Sequence, residues 1–265
     1  MKELAALPVA AAKDIRGVFC DIDDTLTSEG KLSACAYAAL ERLHAGGKLV
    51  IPITGRPAGW CDHIARMWPV DAVVGENGAF YFYYDAARKK LVQRFLFDAV
   101  SRAANREKMV AVRERILSEV SGCALASDQL YREADLAIDY CEDVPRLADA
   151  EVDRIVALMR AAGMTAKVSS IHVNGWFGDY DKLGMTRTLM QERYGVELAR
   201  DEARYLFVGD SPNDAPMFSF FSNSVGVANV ADFGMRLTTP PVYVSRRRGG
   251  EGFVEVAELL LGANE

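Results

Sequence analysis

The sequence has no Cys-x-x-Cys pair, no apolar run long enough to cross a bilayer, no excess of positive charge, and no internal repeat or low-complexity stretch. Each absence excludes something. The five cysteines, Cys20, Cys35, Cys61, Cys123 and Cys141, are odd in number and widely spaced. They read as reduced thiols of a cytoplasmic protein, with Cys20 packing in a strand. A spanning helix needs roughly twenty consecutive apolar residues, so none is expected. A formal net charge of -6 argues against a general nucleic-acid binder, whose affinity rests on neutralising phosphates. The run Arg246-Arg247-Arg248 is read as a solvated loop. The stretch from Leu4 to Ala12 faintly resembles the apolar part of a signal peptide. Glu3, Pro8 and a strand that begins soon after Lys13 argue against export.

What is present is an ordinary globular composition, half hydrophobic, on 265 residues, a length that suits two domains better than one core. The chain is organised around Val18-Phe19-Cys20-Asp21-Ile22-Asp23-Asp24-Thr25-Leu26-Thr27, an apolar strand that ends in three carboxylates and two hydroxyls. Side chains two apart on a strand point the same way, so Asp21 and Asp23 reach together into one crevice at the strand's carboxyl end. Open α/β sheets bind ligands at that end.

Downstream, Ser33 caps a helix with Ala36, Leu40 and Leu43 on one face, stopped by Gly46-Gly47. A strand over 48–53 then leads to Thr54-Gly55-Arg56-Pro57. Strand, helix and strand make a parallel βαβ unit, although Pro52 counts against a central strand. A helix over 59–67 and a strand over 70–74 lead to Gly75-Glu76-Asn77-Gly78, a turn, and then to a hairpin of 79–84 with 91–97. From about 98 to 174 the pattern changes to a helix over 105–120, a strand over 134–140, a helix over 150–162, and strands through 165–173. This reads as an inserted α+β unit with an antiparallel sheet. Helix and strand alternate again from Lys182, with Arg204 to Gly209 running into Asp210-Ser211-Pro212-Asn213-Asp214, strands at 224–228 and 242–244, and a last helix over 253–261. The fold class is α/β, with residues 1–84 and 178–265 as one parallel core and 85–177 inserted.

If these strands are neighbours, Asp21, Asp23, Thr54, Lys182, Asp210 and Asp214 converge. Carboxylates gathered so closely need a cation to remain ionised, and hard oxygen ligands suit magnesium, whose usual companion is a phosphate. One carboxylate can attack phosphorus while a second protonates the departing oxygen and then activates water. Asp21 is then the nucleophile and Asp23 the acid and base. Thr54 and Lys182 stabilise the phosphoryl charge, and Asp210 with Asp214 holds the metal.

Asp21-Ile22-Asp23-Asp24-Thr25-Leu26-Thr27, Thr54-Gly55-Arg56, Lys182, and Gly209-Asp210-Ser211-Pro212-Asn213-Asp214 resemble, in order, the four motifs of the haloacid dehalogenase superfamily. An insertion between the second and third motifs resembles the branch of Cof-like sugar phosphatases, sucrose and trehalose phosphate phosphatases, mannosyl-3-phosphoglycerate phosphatase and phosphomannomutases. The resemblance implies a Rossmann-like core, a mobile α/β cap and magnesium-dependent phosphoryl transfer through an aspartyl phosphate. It places Asp21, the backbone carbonyl of Asp23, and Asp210 on magnesium. Two departures are visible: Asp24 stands where many members carry glycine, and Lys182 is followed by Leu183 before Gly184.

Taken singly, these residues have plainer readings: Asp21 or Asp210 could be a helix cap, and Thr54 a turn residue. Arg56 and Asn213 bind substrate or phosphate, or brace the motif loops; Gly55 is read as substrate-binding, and Asn77 and Gly78 read as a turn that the resemblance raises to crevice wall, with Asn77 toward substrate. His172 and Asn174, on the strand that returns to the core, contact substrate or serve structure. The expected function is hydrolysis of a small phosphorylated metabolite, a sugar phosphate first among them. A phosphosugar mutase is the alternative, and a phosphate-accepting receiver domain the distant one. No nucleic acid or membrane is expected as a partner.

Overall fold

In the computed structural model, which describes residues 1–263, the acidic strand Gly17–Cys20 lies inside a six-stranded sheet. The order is Lys2–Glu3, Tyr243–Val244, Ser224–Gly226, Tyr205–Gly209, Gly17–Cys20 and Leu49–Pro52, and every pairing is parallel. Parallel strands are covered on both faces and so read as continuous apolar runs. Val18, Cys20 and Val50 pack on one side with Leu40, Leu43, Phe253 and Val256. Phe19, Ile51 and Phe207 pack on the other with Met185, Leu189, Met217 and Phe221. The two helices meeting on the first face are Ala34–Ala45, capped by the Ser33 hydroxyl, and Gly249–Gly262. Pro52 is accommodated because its strand closes the order at one end. Ile53 N–H reaches the Cys20 carbonyl at 2.7 Å, so the N–H that proline lacks belongs to the outer side of the ladder.

Beyond that edge a single parallel bridge, Ile53 to Val74, joins a three-stranded antiparallel sheet of Val73–Gly75, Phe80–Asp85 and Lys90–Phe95. A separate four-stranded antiparallel sheet is ordered Thr165–Val168, His172–Trp176, Asp135–Asp139, Ala124–Leu125. The helices Ala99–Glu119 and Asp149–Ala161 pack against it through Met109, Val112, Ile116, Val152, Ile155 and Met159. The parallel core and the antiparallel sheet between its two halves agree with the α/β reading.

Several boundaries differ from expectation. The helix expected at 105 begins at Ala99, because Asp98 accepts the Ser101 N–H at 2.8 Å. The last helix begins at Gly249, four residues before Phe253. A small hairpin, Thr27–Ser28 with Lys31–Leu32, follows the acidic stretch where no strand was expected. The apolar start forms a 3-10 turn at Leu4–Ala6 and a helix at Val9–Asp14, and Leu4, Leu7 and Ala12 are buried in the core. All five cysteines are free. No helix among the described residues is long and apolar enough to cross a membrane.

Candidate active site

Register brings the motifs together. Cys20 pairs with Val208 on one side and with Pro52 on the other. Asp21, Thr54 and Asp210, each just past its strand, therefore share one end of the sheet. Lys182 opens the helix Lys182–Tyr194, whose N-cap Asp181 accepts the Gly184 N–H at 2.7 Å. Gly78 lies against this helix start with φ of +109, and a Cβ there would come within 2.0 Å of the Asp181 carbonyl. Only glycine allows that approach.

Lys182 Nζ lies 2.8 Å from Asp21 Oδ1 and 2.7 Å from Asp214 Oδ1, and all three residues are buried. Oxygens of Asp21, Asp210 and Asp214 fall within 4.8 Å of one another. Burial, and then the neighbouring Asp214 and Asp23, push the Asp21 carboxyl up to about 7 against the pull of Lys182. Burial and the adjoining aspartates likewise raise Asp210 well above the carboxylate range. Burial alone would lower Lys182, but Asp21 and Asp214 outweigh it and hold the ammonium charged. Three buried carboxylates against one lysine leave an excess of negative charge, so the oxygen donors fit a hard divalent cation. Asp214 is the most committed of the three. Its Oδ2 accepts the N–H groups of Asp210 and Ser211 at 3.1 and 3.3 Å. A Cβ on Gly209 would sit 2.4 Å from that oxygen. Asp210 is steadied by the Thr25 hydroxyl and the Asn229 amide, each at 3.3 Å.

Asp23 stands outside this carboxylate group. Arg56 Nε contacts its two oxygens at 2.9 and 3.0 Å. The same guanidinium reaches Glu142 at 2.7 Å and Asp128 at 3.3 Å, both on the inserted segment. Glu142 is aimed by Asp139, whose carboxylate accepts the N–H groups of residues 141, 142 and 143. It also lies 2.8 Å from His172 Nε2. Against the opposing effect of burial, His172 and Arg56 lower the Glu142 carboxyl to about 2.

Behind this lies a second buried network. Arg132 pairs with Asp128 and Asp135, each at 2.9 Å, and donates to the Gly55 carbonyl at 2.8 Å. Glu76 accepts the N–H groups of Ala58, Glu133, Ala134 and Asp135 at 2.6–3.2 Å. Burial, then Asp135, raise the Glu76 carboxyl to about 8 against Arg132.

The remaining candidates fall into place around these groups. The Thr54 hydroxyl, buried, accepts the Arg56 N–H at 3.0 Å. Asn77, at φ 54, accepts from Asn213 at 3.3 Å, and Asn213 accepts from the Ser211 hydroxyl at 2.8 Å. Gly55 packs on the Asn77 amide. Asn174 donates to Asp135 at 2.9 Å. His172 and Asn174 are thus buried in ion-pair networks one or two contacts behind Arg56 and Arg132, and neither lines the cavity beside Asp210. Sequence reasoning missed Thr25, Glu76, Asp128, Arg132, Asp135, Glu142 and Asn229. Most of their partners lie tens of residues away, and only the i,i+4 and i,i+3 spacings of Arg132 with Asp128 and Asp135 left a local trace.

The Glu142 shift has a measurable consequence. A carboxylate whose folded pKa lies below its ordinary 4.5 stabilises the fold above pH 4.5 and loses that contribution as pH falls through about 2. Denaturant midpoints of the wild type should fall across this window, and Glu142→Gln should flatten the fall. An identical pH slope in the variant would contradict the pairing.

An α/β protein with a buried carboxylate crevice at the carboxyl end of its parallel sheet is the class that this fold and site define. Residues 18–107 match the family model described as haloacid dehalogenase-like hydrolase. No curated protein sequence matches the chain. Among solved structures, the Thermoplasma acidophilum 0175 protein is similar at 20% identity with TM-score 0.70, covering 93% of this chain and 98% of that one. The C-terminal domain of Candida albicans trehalose-6-phosphate phosphatase is 16% identical with TM-score 0.71, over 98% and 97%. Sucrose-phosphatase from Synechocystis, in complex with sucrose and phosphate, is 15% identical with TM-score 0.62, over 93% and 98%. The resemblance to the haloacid dehalogenase superfamily is supported by the family model over residues 18–107, which hold the first two motifs, and by the shared fold over nearly the whole chain.

Proposed function

We propose that the protein is a magnesium-dependent phosphatase of a small phosphorylated metabolite, a sugar phosphate, acting through an aspartyl phosphate on Asp21. The observation that carries this reading is the buried set of Lys182, Asp21, Asp210 and Asp214, with the ammonium bridging Asp21 and Asp214 at 2.8 and 2.7 Å. The names of the sucrose and trehalose phosphate phosphatases of the same fold support a sugar phosphate.

In this reading residues 85–177 act as a cap on a core of 1–84 and 178–265. Asp21 attacks phosphorus and the ester oxygen departs with a proton from Asp23. Asp23 then takes a proton from the water that releases phosphate and restores Asp21. Asp23 must leave the Arg56 grip to do this, so Arg56 governs its availability. Lys182 and Thr54 stabilise the phosphoryl oxygens. Asp21, Asp210 and Asp214, with the Asp23 carbonyl, would hold magnesium, which when bound would supply further positive charge at the phosphoryl oxygens.

The test is a phosphate-release screen over an aryl phosphate and a panel of sugar and other metabolite phosphates. Release from several members with magnesium supports the reading, and no release from any overturns it. Chelation should abolish release and magnesium should restore it. Magnesium at about a hundred times its Kd should also stabilise the fold by about 2.7 kcal/mol. An unmoved unfolding midpoint at saturating magnesium would contradict the metal site.

A further inference from the structure

Asp210 lies at the inner end of a cavity of about 470 Å³ between the core and the inserted segment, a size that suits a metabolite. Arg146, from the inserted segment, and Arg248, from the core, both line it. The Arg146 guanidinium has no carboxylate within ion-pair distance among the described residues. It stacks 5.5 Å above the Tyr140 ring and its Nη1 lies 3.7 Å from Cys141 Sγ. Arg248 pairs with Asp232, but both side chains are about 60% exposed. Exposed pairs of this kind contribute only about 0–1 kcal/mol, so Asp232 is readily exchanged for a ligand.

The acids of the cavity are differently placed. Asp24 and Asp210 belong to the inner end, beside the proposed magnesium, while Glu29 sits exposed on the Thr27–Leu32 hairpin. The fourth acid, Asp232, lies near both arginines, and in a chain of net charge -6 Arg146 and Arg248 are the two cationic side chains that line this cavity, where an anionic ligand can take the place of the exposed Asp232. The reacting phosphoryl group would engage Lys182 and Asp21, deeper in, which leaves the arginines for another group of the substrate.

Resting on the phosphatase reading, we propose that Arg146 and Arg248 select a substrate whose leaving group carries a second anion, a carboxylate or a second phosphate. Guanidinium is the side chain best suited to such groups, through paired N–H donors. Because the two arginines come from the two halves of the molecule, the anion also draws the inserted segment onto the core.

The test separates binding from turnover. Asp21→Asn protein is titrated calorimetrically with a phosphorylated sugar acid, a sugar bisphosphate and a sugar monophosphate of matched size that carries no second anion. At least one of the two compounds with a second anion should bind about tenfold or more tightly than the monophosphate, and which of them does so names the anion. Adding Arg146→Gln and Arg248→Gln should remove that preference, as should high salt in part. Equal binding of all three compounds, or a preference that survives both substitutions, overturns the inference. Wild-type hydrolysis of the aryl phosphate, which carries no second anion, tests the phosphatase reading separately.

Discussion

Asp21→Asn is expected to lower phosphate release by on the order of ten-thousandfold or more while leaving the fold intact. The size follows from losing the nucleophile itself, since groups that act as one unit leave only residual catalysis when one is removed. The intact fold follows from the surroundings. Asparagine matches aspartate in size, and the substitution removes one of three mutually repelling buried carboxylates at the cost of one contact with Lys182, which keeps Asp214 at 2.7 Å. Phosphate release read beside the unfolding midpoint separates the two effects. Turnover within tenfold of wild type would remove Asp21 from the chemistry.

Arg132→Met is expected to cost about 3–5 kcal/mol of stability, because it strands buried carboxylates without their cation. The Arg132 side chain is fully buried, and its partners Asp128 and Asp135 are 5% and 0% exposed. The loss should spread to the site, since Arg132 also donates to the Gly55 carbonyl beside Thr54 and Arg56. Adding Asp128→Asn and Asp135→Asn to Arg132→Met should recover part of the loss, because neutral groups are cheaper to bury than unpaired charges. Denaturant unfolding measures both. A loss under about 1 kcal/mol, in the range of an exposed pair, would show that the network is not dry.

The parallel core was legible because its signals are local. Runs such as Leu206-Phe207-Val208, apolar on both faces and ending in acid, mark buried strands and their functional ends without knowledge of their neighbours. Lys182, Asp21 and Asp210 were found for the same reason, each standing where an element begins or ends. Glu76 was not, since it read as part of a turn. Its four N–H donors come from Ala58 and from residues 133–135, on another sheet. Arg56 was read as binding or bracing, and its contacts with Asp23, Asp128 and Glu142 span 33 to 86 residues, a relation that no periodicity encodes. The short hairpin after Thr27 carried only two residues per strand, too few for alternation to register. Arg248 was read as solvated, and its side chain is 62% exposed; the cavity that it lines together with Arg146, about a hundred residues away in sequence, leaves no local trace.

The central claim is that phosphate passes through Asp21. Wild-type protein turning over an aryl phosphate with magnesium is quenched in acid and its peptides are weighed by mass spectrometry. A phosphoryl group on Asp21, lost on hydroxylamine treatment and absent from Asp21→Asn, is the predicted result. Steady phosphate release with no covalent phosphate on Asp21, or with the group on another residue, would contradict it.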